Sequence, residues 1–316
     1  MKKHTLTLMG SSRGELRVPA EALLETVSAL LEGARQATRF FVEGESSRKG
    51  PRPAWLEAAS RVDITGLAAG SAIVTLEAST IAEAVPDRFG PEHQANFFFA
   101  DPQRPINTNN TVIDNFASVL AEAVTGARDQ VFADRVLLDT CLRFARTACN
   151  AFEGVQFDSV SGRTEPLIVR EEDIPKIERL RDETPGPKAV RLAGTLDTIS
   201  ATRSHVVLKL ADGETVAARL DDHDPESLKS LFGAQVVVSG MAHFGPSGKL
   251  LVIDVEHLGA ARDADTLFQT IPIVRALRPV ASIMPQGETS GVSAFFGRWP
   301  GDETDEELLS ALEAIR

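Results

Sequence analysis

The chain has 316 residues, a formal charge of -12 and a sequence pI near 5.1, which weighs against a general binder of nucleic acid or anionic membrane, because the long-range field repels both. Hydrophobic residues at 43% and charged residues at 25% are the proportions of a folded soluble protein, and this length exceeds what one core usually needs, so two domains or one domain with a decorated core are expected. The start, Lys2-Lys3-His4-Thr5-Leu6-Thr7-Leu8, alternates where a signal peptide would run apolar, and no apolar run approaches the length of a membrane span, so a cytoplasmic protein is expected.

Taken in order, residues 1–186 read as an α+β domain. Leu6 to Val18 supply one or two strands with a turn at Gly10-Ser11-Ser12. Pro19 opens a helix whose apolar stripe is Leu23, Leu24, Val27, Leu30, Leu31 and Ala34, running to about Val42. Gly44 to Pro53, with Arg48, Lys49 and Arg52, reads as a solvated loop. Val62 to Thr65 and Ala72 to Leu76 form adjacent strands, and Phe97-Phe98-Phe99 cannot all point inward from a strand. Asn107 to Thr111 are cap-type residues before a helix carrying Val112, Ile113, Phe116, Val119, Leu120 and Val124. A second helix covers about Ala133 to Phe152, and the two are expected to pair antiparallel against the sheet. Cys141 and Cys149 lie on one face of that second helix, about 12 Å apart by helical rise, too far for a disulfide. Packing in a reducing compartment suits them. Val155 to Val160 and Pro166 to Val169 make another hairpin, and Glu183-Thr184-Pro185-Gly186-Pro187 marks the principal boundary.

Residues 187–260 read as a complete small barrel. Val190, Leu192, Gly194 and Leu196 alternate with Arg191, Ala193, Thr195 and Asp197. Ala211-Asp212-Gly213-Glu214 turns between Val206–Leu210 and Thr215–Leu220. Asp224-Pro225-Glu226 starts a helix with Leu228, Leu231 and Phe232 on its apolar side, so Phe232 is expected to fill the helix-to-barrel contact. Gly245 to Gly248 join two further apolar strands. Three strands, a helix and two strands is the order of an OB-fold, here an OB-like five-stranded β-barrel. Residues 261–284 follow as a packing segment broken by Pro272 and Pro279, then residues 285–316 as a linker and an extended C-terminal tail.

In that tail Phe295, Phe296 and Trp299 are aromatic anchors, Asp302, Glu303 and Asp305 are acidic, and Leu308, Leu312 and Ile315 share one face of a short helix capped at Thr304 or Asp305. So short a helix must dock on something. The segment FGRWPGDETDEELLSALEAIR resembles the C-terminal end of bacterial antitoxins from toxin-antitoxin systems with PIN-domain toxins, carried by Trp299, Pro300, Gly301, Asp302, Glu303, Asp305, Glu306, Glu307 and Leu308. The resemblance covers about the last twenty residues. It implies an antitoxin-like, protein-protein interaction module whose tail binds and restrains a partner toxin, a PIN-type ribonuclease.

Two other readings stay open. The barrel offers a nucleic-acid-binding regulator, yet its acidic residues outnumber Lys188, Arg191, Arg203, Lys209, Arg219, Lys229 and Lys249, and Phe232 and Phe244 are its only aromatics. A hydrolase would use a first-domain polar cleft of His93 with Asp101 near Asn107 and Asn109, which has no nucleophile signature beside it. His205, His223, His243 and His257 all fall in the barrel region; His223 sits among Asp221, Asp222 and Asp224 but without regular ligand spacing. Asp197, Asp254 and Glu256 are acid/base candidates if the strands meet. The balance is toward a partner-binding protein over an enzyme, with no catalytic set, cofactor or metal expected and no membrane partner.

Overall fold

The structure, a computed structural model, describes residues 1–10, 18–48, 50–68, 72–90, 106–158, 165–200, 205–220 and 225–274, with Thr304, Glu306 and Ser310. Its first sheet is built on β1 (Lys2–Met9), whose alternation turns His4, Leu6 and Leu8 inward. Around it lie β2 (Val62–Ala68), β3 (Ala72–Ala78), β4 (Gly154–Phe157) and β5 (Leu167–Arg170), in the order β2-β3-β1-β4-β5 with every neighbouring pair antiparallel. One face of this sheet carries Leu6, Leu8, Val74, Leu76, Val155, Phe157 and Val169 into a core shared with the helices.

The helical layer consists of α1 (Ala20–Glu43), α5 (Val112–Thr125), α6 (Arg135–Ala151) and α7 (Ile174–Glu183). The short helices α2 (Ala54–Ala59), α3 (Ile81–Ala84) and α4 (Pro86–Phe89) sit in the connections. The sequence pairs α5 with α6, but each of them packs chiefly along α1, which lies between them. The reason is the small-residue face of α1: Ala29, Gly33, Ala34 and Ala37 are buried, and at Gly33 the ring of Phe116 from α5 fills the space a β-carbon would need. Caps fix the ends: Thr111 and Asp114 form a reciprocal capping box on α5, and Asp134 caps α6 through the Leu137 N–H.

The second sheet closes on itself. It contains β6 (Lys188–Ser200), β7 (His205–Lys209), β8 (Thr215–Arg219), then α8 (Pro225–Leu231), β9 (Gln235–Phe244) and β10 (Leu250–Ala260). The barrel order is β10-β8-β7-β6-β9, and the closing seam is the parallel pair β8 and β10, registered at Ala218 with Ile253 and Arg219 with Asp254. Val236, Val238, Ala242 and Phe244 of β9 point into its core, with Leu192, Leu196, Leu208, Val216 and Ile253. Phe232 is 59% exposed; Leu228 and Leu231 make the contact between α8 and the barrel instead, and the chain turns away at Gly233, where φ is +74°. Past the barrel a short 3₁₀ turn, Asp263–Phe268, returns to β6, where Arg191 pairs with Asp265 at 2.6 Å and lies over the Phe268 ring.

The two sheets meet through named contacts. Leu251 of β10 belongs to the core of the first sheet while its neighbours Leu250 and Ile253 belong to that of the barrel. Arg128 donates two hydrogen bonds to the carbonyl of Pro246, at 2.9 and 3.1 Å. Contacts divide the chain into Met1–Leu277 and Arg278–Arg316. Of the second unit only Thr304, Glu306 and Ser310 are described, all exposed. Among the described residues no helix is long and apolar enough to cross a membrane.

Candidate functional site at the junction of helix and barrel

The tail residues singled out from sequence, Phe295, Phe296, Trp299, Asp302, Glu303, Asp305, Leu308, Leu312 and Ile315, lie outside the described residues, as do His93, Asp101, His223 and the aspartates beside it. Asn107 and Asn109 are both exposed and form a local turn, with the Asn109 N–H donating to Asn107 Oδ1. Beside that turn a cavity of about 250 Å³ is lined by Phe41, Ile106, Asn110, Asn115, Ser118 and Glu122. Three of the barrel's basic residues are matched with carboxylates: Arg191 with Asp265, Lys229 with Glu226, and Arg219 as follows.

A largely buried charged constellation lies where α1 meets the barrel. Gly44 ends α1 in the left-handed region at φ +80°, donating its N–H to the Phe40 carbonyl, and this reversal sends Glu45 and Ser46 inward. Ser46 donates its N–H and its hydroxyl to the two carboxylate oxygens of Asp134, both at 2.7 Å. The cap residue of α6 thereby fixes the segment that carries Glu45.

Glu45, only 2% exposed, faces the barrel seam. Arg219 at the end of β8 places Nη1 2.5 Å from Glu45 Oε1 and donates through Nη2 to Asp254 Oδ1 on β10. His243 on β9 turns Nε2 toward the remaining oxygens, 3.2 Å from Asp254 Oδ2 and 3.6 Å from Glu45 Oε2. The side chains of Arg219 and His243 are 5% and 14% exposed, and that of Asp254 is 32% exposed. The group is therefore enclosed on the Glu45 side and open at Asp254.

Its electrostatics follow from burial set against pairing. Burial raises the Glu45 carboxyl above its ordinary range, with Arg219 opposing. Burial works against charge on His243 too, but the hydrogen bond and charge of Asp254, helped by Glu45 and Asp134, outweigh it and hold the imidazole above its usual value. For Asp254 the pull of His243 and Arg219 overcomes burial and lowers the carboxyl. Glu45, His243 and Asp254 each offer one ligand atom, all within 4.8 Å of one another.

Of the three acid/base candidates only Asp254 joins this cluster; Asp197 and Glu256 are exposed. His257 is exposed and His205 is buried on β7, while His243 meets two carboxylates. Glu45 escapes a reading of the sequence because it follows a helix-ending glycine in a polar, basic stretch. Its partners are far along the chain, and no local pattern announces them. No protein-family description matches this chain, and comparison with curated proteins and with solved structures finds no match either.

Proposed function

We propose that this is a cytoplasmic partner-binding protein of antitoxin type, whose C-terminal tail binds and restrains a PIN-type ribonuclease. The observation that carries the reading is the tail itself. In the sequence Trp299-Pro300-Gly301 is followed by acidic residues and by apolar residues at the spacing of an amphipathic helix, beyond the division of contacts after Leu277. Phe295, Phe296 and Trp299 supply apolar anchors of the kind that dominate interface energetics. Asp302, Glu303 and Asp305 suit the cationic or metal-bound surface of a nuclease, steering the encounter as well as holding it. Leu308, Leu312 and Ile315, spaced i, i+4, i+7 in the sequence, suit one face of a helix laid in a groove. Restraint is steric: the tail covers the nuclease centre.

The barrel fits this as a rigid interaction module. Its chain order of three strands, a helix and two strands, closed between β8 and β10, supports the OB-like assignment. Co-expression with the product of the neighbouring gene tests the function, comparing the full chain with one ending at Ser290. Capture of the partner by the full chain and its loss on truncation is the expected result. If both forms fail to capture it, the antitoxin reading is overturned.

A further inference from the structure

We propose that Glu45, His243 and Asp254 bind a divalent transition-metal cation, with zinc the best fit, and that Arg219 is the positioning residue that aims both carboxylates at it. The inference is independent of the tail and of any partner.

Spacing is the first argument. Ligand atoms on a tetrahedral ion with bonds of about 2.0–2.1 Å stand about 3.3–3.4 Å from one another. His243 Nε2 lies 3.2 Å from Asp254 Oδ2 and 3.6 Å from Glu45 Oε2. These two separations match such an ion, and the three ligand atoms all lie within 4.8 Å of one another.

The second argument is how the oxygens are divided. Arg219 takes Oε1 of Glu45 and Oδ1 of Asp254, leaving Oε2 and Oδ2 turned to the same imidazole nitrogen. Carboxylate ligands of metal sites are held in this way by donors behind them, which fix the lone pairs that face the ion. Ser46 and Asp134 hold the Glu45 backbone from the other side.

Charge is the third. Glu45, Asp254 and the nearby Asp134 against Arg219 leave a formal charge of −2 when His243 is neutral. A divalent ion offsets that charge, in a place where burial makes unbalanced charge costly. One imidazole and two carboxylates favour zinc, cobalt or manganese over calcium, which prefers oxygen alone. The open side at Asp254 admits the ion and leaves room for water as a further ligand.

The test uses the full chain, stripped with a chelator and titrated with zinc by calorimetry and with cobalt by visible absorption. Expected are one equivalent bound, cobalt bands of a low-coordinate site that zinc abolishes, and a rise in melting temperature with zinc. In His243→Gln these bands vanish and zinc binds at least about a hundredfold more weakly, since one of three protein ligands is lost. Should that variant fail to fold by circular dichroism, Asp254→Asn, altered at the half-exposed ligand, carries the same expectation. The proposal is overturned if the stripped protein takes up no stoichiometric zinc or cobalt. It is equally overturned if uptake is unchanged in the folded variants, which would mark an adventitious ion on exposed carboxylates.

Discussion

Arg219 is where a single side chain matters most, because it sits 5% exposed between two carboxylates, one of them almost fully buried. Replacing it with leucine strands Glu45 without its ion pair, and a loss of about 3–5 kcal/mol is expected in urea unfolding. His4 behaves differently. It is buried, with Nε2 2.9 Å from Thr111 Oγ1, and burial holds its pKa below the usual value, Asp114 opposing and Lys2 assisting. The folded protein therefore binds fewer protons there than the unfolded chain. Its contribution to stability is full above about pH 6.5 and declines as the pH falls below that value. The difference in unfolding free energy between wild type and His4→Gln should change across that window and stay flat above it. Cys141 is buried and its thiol is pushed far up, by burial first and Asp134 second. Half-buried Cys149 is raised by burial, Glu171 and Asp173. A thiol reagent should label Cys149 first and reach Cys141 only on unfolding. The packing role of Cys141 was legible from its helical face. The charge partners of Arg219 were not, since nothing in a strand's alternation says which opposite-sign residue will stand across a seam.

Elements were easier to read than their neighbours. The stripe from Leu23 to Ala34 (apart from Leu24, which is exposed), the cap run ending at Thr111 and the turns at Gly213 and Gly248 each carry a local signal, and α1, α5 and the barrel hairpins form there. What local signals omit is approach. Gly33 lies within a strong helix and looks like a weakness, worth about 1 kcal/mol against alanine, yet it is where Phe116 enters. Gly33→Ala should therefore destabilise by about 1–3 kcal/mol despite the better helix propensity, through overpacking against a ring already set edge-on to Phe144. Thermal unfolding of the variant checks this, and a gain in stability would refute the account of why α1 lies between α5 and α6. The same distinction explains Phe232. Periodicity placed it on the buried side of α8, but the chain leaves the helix there and the contact is complete with Leu228 and Leu231.

Over the whole molecule, the first sheet and the barrel exchange parts. Glu45, from the end of α1, enters the barrel seam, and Leu251, from the barrel wall, enters the core beneath the first sheet. The boundary read at residues 183–187 marks a change of strand pattern, but the contacts across it keep Met1–Leu277 together. Calorimetry should accordingly show one transition for this unit, with calorimetric and van't Hoff enthalpies in agreement. Two resolved transitions would show that the halves melt alone. The reciprocal insertion also bears on how the chain is made. Synthesis delivers α1 well before the barrel and domains tend to fold as they emerge, but Glu45 meets Arg219 and Asp254 only after the last barrel strand has left the ribosome. Until then the nascent amino-terminal half carries an acid side chain with nowhere to bury, and its completion is deferred to the closing of a barrel not yet translated.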